Sequence, residues 1–176
     1  VYLRNTDGTP AVLLGEGSAM GLSPDGKWVI AQPPGTPAQL RLLPTKAGEA
    51  RALTHDNISH AWARWMPDGK RFIFSGNEPN AGVRLYIQDL EGGKPRPISP
   101  EGAHANAFFP SPDGKQIFGL GPDQKGYLYP VDGGEAKQVP GLQVGEQPVN
   151  YTSDGKSIFI YRPGEVPAKV FILEIA

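Results

Sequence analysis

Four aspartates are the first candidates for chemistry in this chain. Asp25, Asp68, Asp113 and Asp154 recur every 41–45 residues, and each is followed by Gly-Lys. Carboxylates at a fixed interval would suit a ring of ligands around a cation. Calcium, however, needs several oxygens converging on one point, and one carboxylate per repeat is too dispersed for that. The surrounding residues point elsewhere: Ser23-Pro24-Asp25-Gly26-Lys27, Met66-Pro67-Asp68-Gly69-Lys70, Ser111-Pro112-Asp113-Gly114-Lys115 and, more loosely, Thr152-Ser153-Asp154-Gly155-Lys156. Proline presets φ at the first turn position, Asp bonds its own backbone, and Gly takes the left-handed conformation. Asp25, Gly26, Asp68, Gly69, Asp113, Gly114, Asp154 and Gly155 are therefore expected to be structural turn residues. In the fourth copy Ser153 replaces the proline, so that turn is less preset.

The titratable groups near neutrality are His55, His60 and His104. His60 and His104 stand eight and nine residues ahead of their repeat aspartates. Together with Arg64, Asn106, Glu146 and Asn150 they are candidate binding residues of a polar funnel. The alternative is that all six are ordinary solvated rim residues. No spacing among them suits a metal ion. No Gly-x-Ser-x-Gly elbow occurs, since Gly21-Leu22-Ser23-Pro24-Asp25 lacks the final glycine, and neither a kinase glycine-rich loop nor a Walker loop is present. No catalytic residue, metal or cofactor is therefore assigned. Trp62 and Trp65 flank Arg64 on one stretch, where alternation sends Arg64 to the face opposite Trp65. Trp65 is expected in the packing, while Trp62 stays open between packing and a stacking platform. Asn57-Ile58-Ser59 and Asn150-Tyr151-Thr152 fit the glycosylation pattern, which also arises by chance.

The elements that would position these residues are set by the repeat. A period of about 40–45 residues favours propeller blades of four antiparallel strands, named A to D from the axis outward. The Pro-Asp-Gly unit closes the A–B hairpin. Strand B comes next at 28–31, 72–74, 117–118 and 158–160, continuously apolar as expected of strands covered on both faces. Strand C falls at 2–3, 40–42, 85–87, 127–129 and 170–172, and a polar strand D at 11–13, 50–53, 95–98 and 136–139. Prolines and charges on D suit an outer edge. The chain thus reads as one all-β propeller domain, 1–176, with repeats near 18–53, 61–98, 105–139 and 147–174. It holds three complete blades and an incomplete blade at each end. It could close on itself with four blades, by pairing the first D strand with the last A-B-C set. Otherwise it is a fragment of a larger propeller, and its incomplete blades invite self-association. The D–A connections, and with them His60 and His104, are expected around the mouth of the central channel.

Composition narrows the partners. The 176 residues are 20% charged, with a formal net charge of −1 and no basic stripe, so nucleic acid is not an expected partner. No apolar run approaches the ~18 residues of a membrane-spanning helix, so membrane insertion is not expected. Cysteine is absent, which leaves the compartment open. Val1 is neither an initiator Met nor the start of a signal-like segment, and the chain is expected to be cut from something longer or processed.

The Ser-Pro-Asp-Gly-Lys hairpin, the apolar B strand and the Leu-Tyr-Ile-Gln-Asp-Leu-Glu-Gly-Gly segment at 85–93 together resemble the TolB-like, WD-repeat-like propeller repeat. The resemblance covers essentially the whole chain. It implies the propeller fold and an extracytoplasmic or periplasmic setting. The Leu53-Thr54-His55 run and the Tyr161-Arg162-Pro163-Gly164-Glu165 stretch most resemble propellers fused to bacterial serine/threonine kinases. A whole-chain repeat without a catalytic constellation leads to the expectation of a non-catalytic module for recognition or sensing, part of a larger bacterial protein, that binds a protein or small ligand at the channel mouth. The alternative is a propeller hydrolase or lyase, or the substrate-gating domain of a prolyl-oligopeptidase-like peptidase.

Overall fold

The computed structural model describes residues 1–175, which form strands and turns with no helix. The chain begins with a two-stranded hairpin, β1 (Tyr2–Leu3) and β2 (Val12–Leu13). Four antiparallel sheets come after it as the blades of a β-propeller. Blade 1 is β3 (Ser18–Leu22), β4 (Trp28–Gln32), β5 (Arg41–Pro44) and β6 (Arg51–Ala52). Blade 2 is β7 (Ser59–Trp65), β8 (Arg71–Asn77), β9 (Arg84–Asp89) and β10 (Gly92–Pro97). Blade 3 is β11 (Phe108–Pro110), β12 (Gln116–Leu120), β13 (Gly126–Pro130) and β14 (Lys137–Gln138). Blade 4 has three strands among the described residues, β15 (Gln147–Tyr151), β16 (Ser157–Tyr161) and β17 (Val170–Glu174).

The repeated turn explains why the blades look alike. Gly26 N–H donates to the Ser23 carbonyl at 2.9 Å, and the same bond recurs at Gly69–Met66, Gly114–Ser111 and Gly155–Thr152. The glycine in each copy has φ between 65° and 73°, a conformation costly to any residue with a Cβ. Asp25 Oδ1 accepts from the Ser23 hydroxyl at 2.6 Å and from Lys27 N–H at 3.1 Å. Asp113 repeats this with Ser111 and Lys115, and Asp154 with Thr152 and Lys156. Those hydroxyls first, and the lysine N–H groups next, hold all three carboxyls below the ordinary Asp range. The second copy differs because Met66 has no hydroxyl; there Asp68 pairs with Arg71 at 2.8 Å. The aspartates are thus spent on their own hairpins.

The core is a series of blade-to-blade contacts. On β4, Ile30 faces blade 2 with Leu42, while Val29 and Ala31 face the N-terminal hairpin with Leu43. On β8, Phe72 and Phe74 face blade 1, and Ile73 faces blade 3. On β12, Ile117 faces blade 2, and Phe118 with Leu120 faces blade 4. Strands covered on both faces are apolar at every position, which accounts for the unbroken runs in the B strands. Each buried aromatic contributes about 1.5–3 kcal/mol of transfer free energy.

The two ends are left uncovered. On blade 4, Tyr161 and Val170 form one cross-strand pair and Phe159 and Ile172 another, with Ile172 64% exposed. On the hairpin, Tyr2 pairs with Leu13 and is 70% exposed. The closure that would set the first D strand beside the last A-B-C set does not occur, because β2 pairs with β1 and the outer edge of β17 has no partner strand among the described residues. The inner strands pack in chain order, β3 on β7, β7 on β11 and β11 on β15.

Candidate functional site

The inner strands converge on a cavity of about 470 Å³ that takes residues from every blade. Its walls come from the turn-proximal ends of the A strands: Gly21 and Leu22, Arg64 and Trp65, Phe109 and Pro110, Asn150 and Tyr151. Pro24, Pro67, Pro112 and Ser153 of the four repeat turns frame its rim. Gly21, Arg64, Phe109 and Asn150 all lie four residues ahead of their repeat aspartate, so one position of the repeat supplies one wall residue per blade.

Packing fixes these walls. Trp65 is buried against blade 1, and its indole Nε1–H donates to the Gly21 carbonyl at 3.1 Å. Tyr151 meets Phe109 edge-on with ring centroids 5.4 Å apart, and burial pushes its phenol well above the ordinary tyrosine range. Alternation turns Arg64 away from Trp65, and its guanidinium lies 6.0 Å from the Phe108 ring centroid. Burial pushes the Arg64 pKa down. Arg64 is the sole charged residue of the lining.

The six residues expected to form one polar funnel do not converge, and the cavity opens beside the A–B turns, not at the D–A connections. Arg64 and Asn150 line it because they sit at the turn ends of β7 and β15. His60 is buried at the opposite end of β7. The bulge between His60 and Trp62 inserts Ala61 into the ladder, and the imidazole packs 4.4 Å from the Phe74 ring centroid. His104 and Asn106 are exposed on the connection into β11, joined to each other at 3.0 Å. Glu146 is buried, accepting from Arg162 Nε at 2.9 Å and from Gln143 N–H at 2.9 Å. His55 is exposed. Trp65 is in the packing as its alternation implied, and Trp62 is 48% exposed. Among the described residues no group of three or more His, Cys, Asp or Glu side chains is placed to hold a metal ion.

His60 is a stability element with a definite pH signature. One ring nitrogen, Nδ1, bonds the Ala38 carbonyl at 3.0 Å, while Nε2 has no hydrogen-bond partner among the described residues and lies 3.8 Å from Asp56. Burial lowers its pKa below 6.5, against the opposing pull of the Ala38 carbonyl and the Asp56 charge. The unfolded chain then binds the extra proton first, so the contribution is fully present above about pH 6.5 and is lost as pH falls toward the folded value. The melting temperature is expected to drop between pH 7.5 and 5. His60→Asn, whose amide can replace the Nδ1 bond without titrating, should flatten that segment of the profile. An unchanged slope in the variant would assign the pH dependence to other groups.

No protein-family model matches the chain. An uncharacterised peptidase of Bacillus subtilis, YuxL, is 30% identical over 120 residues, which is 65% of this chain but 17% of that protein. Among solved structures, TolB from Acinetobacter baumannii superposes with a TM-score of 0.76 at 19% identity, covering 99% of this chain and 45% of that one. An oligogalacturonate lyase in complex with manganese gives 0.65 at 16% identity, covering 91% and 48%. The acylaminoacyl peptidase of Pyrococcus horikoshii gives 0.66 at 17% identity, covering 97% and 33%. The chain therefore shares the TolB-like propeller fold and spans less than half the length of each of these proteins. One fold carries several activities among them.

Proposed function

We propose that the chain is a non-catalytic recognition module, part of a larger bacterial protein, that takes a protein segment or small ligand into its central cavity. The observation that carries this reading is the cavity, to which every blade contributes one wall residue at the same repeat position. A rigid scaffold with a shaped concavity and few polar groups is a usual form of ligand site. The uncovered apolar faces at both ends support continuation into further propeller surface, and in isolation the same faces would pack on a second copy. An extracytoplasmic, kinase-fused parent is the setting we infer from the resemblance of the 53–55 and 161–165 stretches.

Gly21→Trp tests the reading, because a Cβ at Gly21 meets only Trp65 at 3.4 Å and the indole would fill the cavity. A random tetrapeptide library should yield members retained intact by the wild-type chain and not by the variant. Equal retention by both would sink the cavity as the recognition surface. Cleavage of the peptides by the wild-type chain, lost in Gly21→Trp, would overturn the non-catalytic reading.

The second reading is the gating domain of a peptidase, favoured by the 30% identity to the Bacillus subtilis peptidase. The catalytic groups would then stand on another domain, and the cavity would filter what reaches them.

A further inference from the structure

Resting on the recognition reading, we propose that Arg64 anchors the carboxylate of a monoanionic ligand whose apolar body fills the central cavity. Three arginines of the described residues are half-buried: Arg64, Arg71 and Arg84. Arg71 pairs with Asp68 and Arg84 with Glu101, each at 2.8 Å. Arg64 has neither a carboxylate within ion-pair distance nor a hydrogen-bond acceptor among the described residues. The Arg64 guanidinium is partly desolvated, which presses its pKa down, while its nitrogens still reach solvent, so its donors are open to a ligand. The strand holds it there: Ala63 and Trp65 are fixed in the blade 1 packing, so Arg64 must point to the other side.

The surroundings select the class of ligand. The cavity lining contains no Asp or Glu, and its one cation matches a single negative charge. A phosphate dianion would call for further cations or a nest of backbone N–H groups. The planar guanidinium fork matches a carboxylate with two parallel bonds. Asn150 adds a donor: its Oδ1 accepts from Tyr151 N–H at 2.9 Å, which leaves the amide nitrogen available to an anion. Met20, Leu22, Trp65 and Phe109 supply apolar wall for the rest of the molecule. A peptide C-terminus ending in an apolar residue and a small aryl or alkyl acid share this chemistry.

The test is a titration of the full chain with 3-phenylpropionate, followed by NMR, beside its neutral counterpart 3-phenyl-1-propanol. The acid should bind at least tenfold more tightly than the alcohol, and Arg64→Gln should lose at least tenfold for the acid while leaving the alcohol unchanged. Arg64→Lys, which keeps the charge and loses the fork, should fall between. It serves as the readout if Arg64→Gln fails to fold. The tripeptide Ala-Ala-Phe binding more tightly than 3-phenylpropionate assigns the site to peptide ends; weaker binding assigns it to small acids. Absence of saturable binding, equal affinity for acid and alcohol, or full affinity in both arginine variants would overturn the proposal. Peptides retained by wild type and Arg64→Gln alike, but not by Gly21→Trp, would refute it while leaving the recognition reading standing.

Discussion

Replacing Phe74 by alanine is expected to remove about 3–5 kcal/mol of stability, seen as a lower denaturant midpoint at unchanged slope. Phe74 is fully buried at the contact of blades 1 and 2. Its ring stacks on Tyr86 at 5.2 Å and on Phe72 at 5.7 Å, and it covers the imidazole of His60 at 4.4 Å. Truncation would leave a void among three rigid rings, all fixed on the blade 2 sheet, which cannot collapse without breaking its ladders. It would also strip the apolar cover from a histidine whose Nε2 already lacks a partner among the described residues. Against a total of about 5–15 kcal/mol for a domain, that loss takes a large share. Val12→Ala, on an exposed position of the N-terminal hairpin, is the control and should move the midpoint little. A loss under about 1 kcal/mol at Phe74 would mean that the two blades do not pack as described.

Gly17→Ala should be the second most damaging change, and Gly26→Ala is its natural comparison. Both glycines have positive φ, +109° and +71°. At Gly26 a Cβ would meet nothing within 4 Å, so only the left-handed conformation is penalised, at about 1–2 kcal/mol. At Gly17 the Cβ would fall 2.4 Å from the Gln32 carbonyl oxygen and 2.9 Å from Pro33 N. These are backbone atoms at the end of β4, so relief requires moving the strand. Overpacking then adds to the conformational strain, for a total of about 2–5 kcal/mol. Thermal melts of the two variants side by side measure the difference. Equal losses would show that the chain before β3 can move away from Gln32 freely.

Much of this architecture was legible in the sequence because its causes are local. A Pro-Asp-Gly-Lys turn needs a particular residue at each position, and the structure repeats the bonds of that turn even at Thr152-Ser153. The B strands announced themselves because double cover removes polar residues from both faces. The site was less legible because it depends on which end of an A strand faces the axis. Alternation, the guide followed along the A strands, fails at the bulges beside Met20, Ala61 and Val149. The bulge at Ala61 helps to explain how His60 lies in the packing while Arg64, four residues on, lines the cavity. A usable signal did exist in the position four before each aspartate, where Gly21, Arg64, Phe109 and Asn150 differ while the turn stays constant.

The unclosed ends have a consequence for how the molecule comes apart. Each buried cluster joins only chain neighbours: hairpin to blade 1, blade 1 to 2, 2 to 3 and 3 to 4. Stability in such a stack is approximately a sum of unit terms and nearest-neighbour terms, so opening begins at the termini and moves inward. Amide exchange should be slowest on β8 and β12, whose blades are held from both sides, and fastest on β1, β2 and β17. Covering the outer face of β17, by whatever surface it meets, would slow exchange on blade 4 first and leave β8 almost unaffected.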